Sequence, residues 1–248
     1  MNIAVLFAGG VGSRMQSKSL PKQFLNIHGV PIIVRTVELF QTHKDIDAIV
    51  VSCHPDWLEY CSNLLASYDC TKVKAIVSGG ATGQLSIYNG LCAARDIADS
   101  NGDDRNVVLI HDGVRPLINA KTISDNILSV REHGSAVTSV PVTETIVTAD
   151  TDGQIREIHP REQLRIARAP QSFYLDEILG AHEKALADGR KNFIDSATMM
   201  RHYGHKLYLV DGPVENIKVT TPSDFFSLQA ILNARENEQI YGVATNEE

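Results

Sequence analysis

Two cations stand close to a run of glycines at the start of the chain. The stretch reads Phe7-Ala8-Gly9-Gly10-Val11-Gly12-Ser13-Arg14-Met15, followed by Pro21-Lys22-Gln23. Glycines permit positive φ and let backbone approach a ligand closely. Successive backbone N–H groups can form an anion-binding concavity, and Arg14 and Lys22 add full charges. The combination suits a polyphosphate. A plain turn between strand and helix is the bland alternative for a single glycine run. Two better-known phosphate loops are excluded. No Gly-Lys-Ser/Thr follows, as a P-loop requires. Met15 stands where a dinucleotide fingerprint needs its third glycine, and Pro21 interrupts the helix that should follow.

Farther along, His111-Asp112-Gly113-Val114-Arg115-Pro116 lies at the end of an apolar run, 107–111. Ligands of open α/β sheets bind outside the carboxyl ends of strands. Asp112 there suits a Mg²⁺ that bridges nucleotide phosphates; the alternative is a structural ion pair with Arg115. His111 reads as a packed residue and not as a base. In Asn216-Ile217-Lys218-Val219-Thr220-Thr221-Pro222, Lys218 falls inside a predicted short strand, 217–219, leading to a capped helix.

Apolar runs alternate with helical patterns along the chain. The reading is strand 2–7, helix 31–42, strand 47–53, helix 56–68, strand 73–77, helix 84–98, strand 107–111, helix 120–133 and strand 136–142. Such alternation predicts βαβ units, a mostly parallel sheet and helices on both faces. Thr145–Ala149 and Gln154–Ile158 then alternate around Asp150-Thr151-Asp152-Gly153, a hairpin signal. Helices are predicted at 175–188 and 195–203, a strand at 206–211, and a last helix at 222–236 with Thr221 as cap and Pro222 at its first turn. Isolated two-stranded ribbons are marginally stable. The hairpin at about 143–160 is therefore a surface feature or an arm that packs on a second subunit. The expectation is one α/β domain over 1–248 with a projecting β-hairpin arm.

The chain has 248 residues, 43% of them hydrophobic and 21% charged, which is ordinary for a globular protein. No run approaches a membrane span, and no signal peptide is read at the N-terminus. Cys53, Cys61, Cys70 and Cys92 lack metal spacing and suit a reducing cytoplasm. A net charge of −7 argues against a nucleic-acid partner, so an anionic substrate must be met by a local cationic site.

Six motifs fall in register along most of the chain: Ala8-Gly9-Gly10-x-Gly12-Ser13-Arg14-Met15, Pro21-Lys22-Gln23, Gly79-Gly80, His111-Asp112-x-x-Arg115-Pro116, Ala169-Pro170-Gln171-Ser172-Phe173 and Asn216-Ile217-Lys218-Val219-Thr220. Together they resemble the cytidylyltransferases that activate small polyol phosphates, among them the ribitol-5-phosphate and methylerythritol-phosphate enzymes. The resemblance implies a Rossmann-like nucleotidyltransferase domain with a mostly parallel twisted sheet, and a reaction in which a polyol phosphate attacks CTP with loss of pyrophosphate. It implies Arg14 and Lys22 as transition-state cations, and Arg161 and Lys218 as the residues that place the polyol phosphate. Asp112 would lie near Mg²⁺. Phe7, Ala8, Gly9, Gly10, Gly79, Gly80, Ser86 and Arg115 would frame the nucleotide, while Thr145 and Asp195 would touch substrate. A homodimer joined through the arm would carry Arg161 into the neighbouring site.

Two positions depart from the family pattern. Gly83 stands where an arginine is usual in Gly-Gly-x-x-Arg-x-x-Ser. Ile194 replaces a threonine of the methylerythritol enzymes, and isoleucine offers no hydrogen bond. Gly83 bears on the selectivity for cytosine, while Ile194 and the Leu20-Pro21-Lys22-Gln23-Phe24 wording favour ribitol 5-phosphate, which would serve wall or capsule polymers. The alternatives are methylerythritol 4-phosphate, which would serve isoprenoids, a sugar-1-phosphate nucleotidyltransferase, and a nucleotide-binding subunit without catalysis.

Overall fold

The computed structural model describes residues 1–10, 20–100, 102 and 105–241. Strand β1 (Asn2–Ala8) is followed by a small ribbon, β2 (Asn26–Ile27) and β3 (Val30–Pro31), and then by α1 (Ile32–Gln41). The chain continues through β4 (Ala48–Cys53), α2 (Leu58–Ser67), β5 (Val73–Ser78), α3 (Gly83–Asp99), β6 (Val107–Asp112), α4 (Ala120–His133) and β7 (Ser135–Pro141). The arm strands β8 (Val147–Ala149) and β9 (Ile155–Ile158) come next, then β10 (Arg165–Tyr174). The chain closes with α5 (Leu175–Ala187), α6 (Ser196–His202), β11 (Leu209–Asp211) and α7 (Pro222–Tyr241).

Seven strands form one sheet in the order β11-β7-β10-β6-β1-β4-β5. β1 pairs in parallel with β4 and β6, and β5 and β11 are also parallel to their neighbours. β10 alone runs antiparallel, between β6 and β7. Both faces of β1 are covered. Ile3 and Val5 pack with Leu91 of α3, Ile178 of α5 and Met199 of α6, while Ala4 and Leu6 pack with Phe40 of α1, Leu65 of α2 and Ile123 of α4. Burying each such side chain contributes about 1.5–3 kcal/mol, which fixes β1 and β6 as the rigid centre.

Helix starts follow local chemistry. Thr82 caps α3 by accepting from Leu85 N at 3.2 Å, and Asn119 caps α4 by accepting from Thr122 N at 2.8 Å. Thr221 accepts from Asp224 N, and the Asp224 carboxylate accepts in return from Thr220 N and Thr221 N, both at 2.8 Å. This reciprocal box starts α7 at Pro222, as the sequence predicts.

Three differences from the sequence reading matter. β10 was not predicted: it carries Pro170 within its run, and proline argues against a central strand. The structure accommodates it with a cis Ala169–Pro170 peptide at a shift of register between Ala167 and Gln171. Conversely, 217–219 forms no strand. Its one ladder-like contact is Val219 N donating to Val114 O at 3.0 Å, because this segment is pinned against the 113–118 turn and not against a sheet edge. β11 is also shorter than the predicted 206–211, since only Leu209–Asp211 pairs with β7.

Candidate active site

β1 and β6 lie side by side, so Phe7 and Asp112 are register partners at their carboxyl ends. Beyond them the backbones stay close: Gly113 N donates to Phe7 O at 3.0 Å, and a Cβ on Gly113 would lie 3.1 Å from that of Ala8. Asp112 is buried and takes two cations. Lys218 Nζ lies 2.5 Å from Oδ1, and Arg115 Nε donates to Oδ2 at 2.7 Å. Arg115 Nη1 also donates to Asn216 O at 2.9 Å, and the buried Asn216 side chain donates to Ala169 O at 2.8 Å. β6, the 216–218 segment and β10 are thus tied into one wall. Lys218 Nζ further sits 5.6 Å from the centre of the Phe7 ring, a cation–π contact.

Burial works to raise the Asp112 carboxyl, but the Lys218 and Arg115 charges overcome it and hold it below the usual carboxylate range. The ion pair left open by the sequence is therefore present, and it includes Lys218 as well. His111 behaves as expected of a packed residue. Its Nε2 lies 3.1 Å from Arg115 O, its ring meets Phe40 edge-on, and burial pushes its pKa down to about 4. It stays neutral and holds the 111–115 turn.

A glycine strip flanks this wall. A Cβ on Gly9 would lie 3.0 Å from Ser86 Oγ, and one on Gly79 would lie 3.1 Å from the same atom and 3.2 Å from Cys53 O. At Gly80 it would lie 2.3 Å from Leu85 Cβ. At Gly80 no side chain fits without a shift of Leu85, and Gly9 and Gly79 are tight against Ser86. Ser86 Oγ donates to Thr82 O at 2.9 Å and accepts from Gly80 N at 3.0 Å, which locks the turn before α3. Gly9, Gly79, Gly80 and Ser86 thus lie together, with Ala8 and Gly10 as chain neighbours of Gly9. Gln23, buried, donates to Ala8 O at 2.9 Å and docks the Lys22–Phe24 turn against the end of β1. Arg14 lies outside the described residues.

A cavity of about 660 Å³ opens beside the wall. Phe7, Asp112, Arg115, Lys218 and Asp195 line it, together with Arg168, Gln171, His182 and Ile194. Asp195 is occupied structurally: Oδ1 accepts from Thr198 N at 2.8 Å, capping α6, and Oδ2 accepts from Gln171 Nε2 at 3.0 Å. Ile194 is 88% exposed at the rim. Arg168, Gln171, Asn216 and His182 escaped the sequence reading as site residues. The signal available was the Ala-Pro-Gln motif, which puts Arg168 and Gln171 on either side of the proline in β10. Thr145 and Arg161 are not brought to this cavity. Both are exposed on the arm, where Arg161 Nη1 donates to Thr143 O at 2.9 Å.

Among the described residues, no three His, Cys, Asp or Glu side chains cluster to hold a metal. Asp112 is the carboxylate at the wall. A single carboxylate fits Mg²⁺ held largely by substrate phosphates, provided Lys218 yields its place on Oδ1.

A mixed, mostly parallel sheet with a glycine strip and a cationic cavity at its strand ends defines a nucleotidyltransferase of the α/β class. The family model for 2-C-methyl-D-erythritol 4-phosphate cytidylyltransferase (IspD) matches residues 2–234, and the chain belongs to that family of cytidylyltransferases. A ribitol-5-phosphate cytidylyltransferase of Streptococcus agalactiae serotype III is 54% identical over 98% of this chain and 100% of its own length. A 2-C-methyl-D-erythritol 4-phosphate cytidylyltransferase of Clostridium novyi is 38% identical over 93% of this chain and 96% of its own. Among solved structures, 4-diphosphocytidyl-2C-methyl-D-erythritol synthase of Anaerococcus prevotii superposes with a TM-score of 0.78 at 25% identity, covering 94% of this chain and 96% of that one. No helix among the described residues is long and apolar enough to cross a membrane.

Proposed function

We propose that this chain transfers CMP from CTP to D-ribitol 5-phosphate in the cytoplasm, giving CDP-ribitol and pyrophosphate. The observation that carries the choice of polyol is the gap in similarity: 54% to a protein named for ribitol 5-phosphate against 38% to one named for methylerythritol 4-phosphate. Ile194 at the cavity rim supports the same choice, because it offers no hydrogen bond where the methylerythritol enzymes carry a threonine.

In the reaction, a phosphate oxygen of the polyol phosphate forms a bond to the α-phosphorus of CTP. The bond from that phosphorus to the bridging oxygen breaks, and its electrons leave with pyrophosphate. The nucleophile is already an anion, so no general base is needed, consistent with a buried, neutral His111. The barrier is repulsion between anions. Catalysis is then positioning and electrostatic stabilisation of charge on the transferred group. Lys22 and Arg14 act on the triphosphate. Lys218 and Arg115, pre-set on Asp112, hold the polyol phosphate, and Asp195 borders its chain. The strip of Ala8, Gly9, Gly10, Gly79, Gly80 and Ser86 receives the cytidine. Asp112 is the residue that would hold Mg²⁺ together with phosphate oxygens, and the ion would offset negative charge on the triphosphate.

The reading includes a homodimer. Residues 1–248 act as one domain whose arm lies on a second copy, bringing Thr145 and Arg161 to the neighbouring site. Exposed Ile146, Val147, Ile155 and Ile158 on the arm support this. The test is pyrophosphate release from CTP and Mg²⁺ with each polyol phosphate. A kcat/KM for ribitol 5-phosphate well above that for methylerythritol 4-phosphate is expected. The reverse preference would overturn the choice of polyol.

A further inference from the structure

The charges around the cavity do not balance locally. Both oxygens of Asp112 are taken by Lys218 and Arg115, and both oxygens of Asp195 by Thr198 N and the Gln171 side chain. Arg168, on β10, also lines the cavity. Its Nη1 donates to Val214 O at 2.8 Å, and among the described residues no carboxylate oxygen lies within ion-pair distance of it. Burial and the neighbouring Arg115 charge act against its protonated form, and the Glu215 charge offsets only part of this. A guanidinium half-buried beside another cation gains further when an anionic ligand joins it.

We propose that Arg168 is a substrate-binding residue, which grips the phosphate of the polyol phosphate from the β10 side of the cavity, beside Arg115. This rests on the reading of the reaction given above. The Val214 bond orients the side chain and uses one N–H. The donors that remain form a planar fork matched to phosphate oxygens. An incoming phosphate dianion removes the repulsion between Arg168 and Arg115 by lying between them and Lys218. Within one chain, Arg168 then supplies the contact that Arg161, at the base of the arm and outside this cavity, does not. Gln171, the residue after the proline, donates to Asp195 Oδ2 and holds that carboxylate in place.

The test compares Arg168→Ala and Arg168→Lys with the native enzyme. Expected are a KM for ribitol 5-phosphate raised tenfold or more in Arg168→Ala, a smaller rise in Arg168→Lys, and a KM for CTP within twofold of native in both. Ribitol 5-phosphate without CTP should raise the melting temperature of the native chain and not that of Arg168→Ala. If the two KM values rise together, Arg168 merely braces the 213–218 segment and the proposal falls. An unchanged KM for the polyol phosphate overturns it equally. Should Arg168→Ala not fold, Arg168→Gln, which can still donate to Val214 O, replaces it in both measurements. If the native enzyme prefers methylerythritol 4-phosphate, the choice of polyol fails alone, and the same comparison on that substrate still decides the role of Arg168.

Discussion

At the end of β6, Asp112 is 4% exposed and Asn216 is fully buried, and each side chain of the wall they form is tied to another element of the same chain. On the arm the reverse holds. Every residue of β8 and β9 is exposed, and Ile155 and Ile158 show 56% and 63% of their surface to solvent. The wall is finished by its own chain, so its charges are oriented before any substrate arrives. The arm is a two-stranded ribbon with apolar side chains facing outward, an arrangement that is marginal alone. One region supplies preorganised electrostatics. The other supplies surface that needs a partner to make sense.

If the wall is the preorganised half, breaking it should cost the most. On the proposed reading Lys218→Ala removes a cation that holds the polyol phosphate, and it leaves Asp112 with Arg115 alone. By analogy with loss of an oxyanion donor, kcat should fall about 10²–10³-fold, or roughly 2.7–4 kcal/mol. Lys22→Ala should fall in the same range, with little change in KM for CTP. Steady-state kinetics check both, and a kcat within threefold of native would remove the residue from the mechanism. Arg161→Ala should cost less, about tenfold, if the arm of a second copy completes a site that the wall has set. Mixing Lys218→Ala with Arg161→Ala subunits should restore part of the activity, since the mixed dimer holds one site with both residues native. No recovery in confirmed heterodimers would put Arg161 in its own chain's site or outside any site.

The same contrast explains what was legible in the sequence. The alternation of apolar runs identified nearly every parallel strand, because a strand buried on both faces must be apolar throughout. β10 broke that rule. Its Arg-Ile-Ala-Arg start lies in the exposed part of the strand and its proline falls at a register shift, so neither periodicity nor propensity marks it. Lys218 was found through its motif, yet its setting was misread: Ile217 and Val219 look like strand residues but face a small apolar cluster with Leu228 and Val114. The Asp112–Arg115 pair was readable from a spacing of three residues. Its bond to Lys218, more than a hundred residues on, was not, since only the fold brings the two together. Arg168 had only the adjacent Ala-Pro-Gln motif to mark it, and its place at the cavity needed the fold.

The wall side also carries the chain's pH sensitivity. His111 and His182 are buried, and burial pushes both down to about 4. Unfolding releases them to values near 6.5, so the unfolded chain binds protons first as pH falls. Stability is full above about 6.5 and is lost progressively down to about 4, below which both states are protonated. Each histidine gives a slope approaching 1.4 kcal/mol per pH unit in that window. Melting temperature should therefore drop between pH 7 and 5. His182→Phe, which keeps the stacking on Tyr88, should roughly halve the drop. An unchanged slope would mean that His182 is charged in the folded chain.

The smallest effect on the fold should come from the arm. Ile158→Asp places a charge at a position 63% exposed, and surface changes of this kind are usually worth within about 0.5 kcal/mol in the chain itself. Secondary structure by circular dichroism should be unchanged. If a second copy covers Ile158, though, the same substitution buries an unpaired carboxylate in that contact, which costs far more than it does in water. Sedimentation equilibrium should then report a native dimer and a variant of half the mass. Turnover should fall as far as it does in Arg161→Ala, because Arg161 leaves the neighbouring site with the arm. A native chain that sediments as a monomer, or a variant that remains a dimer with full activity, would mean that the exposed isoleucines serve another contact and that the wall completes the site unaided.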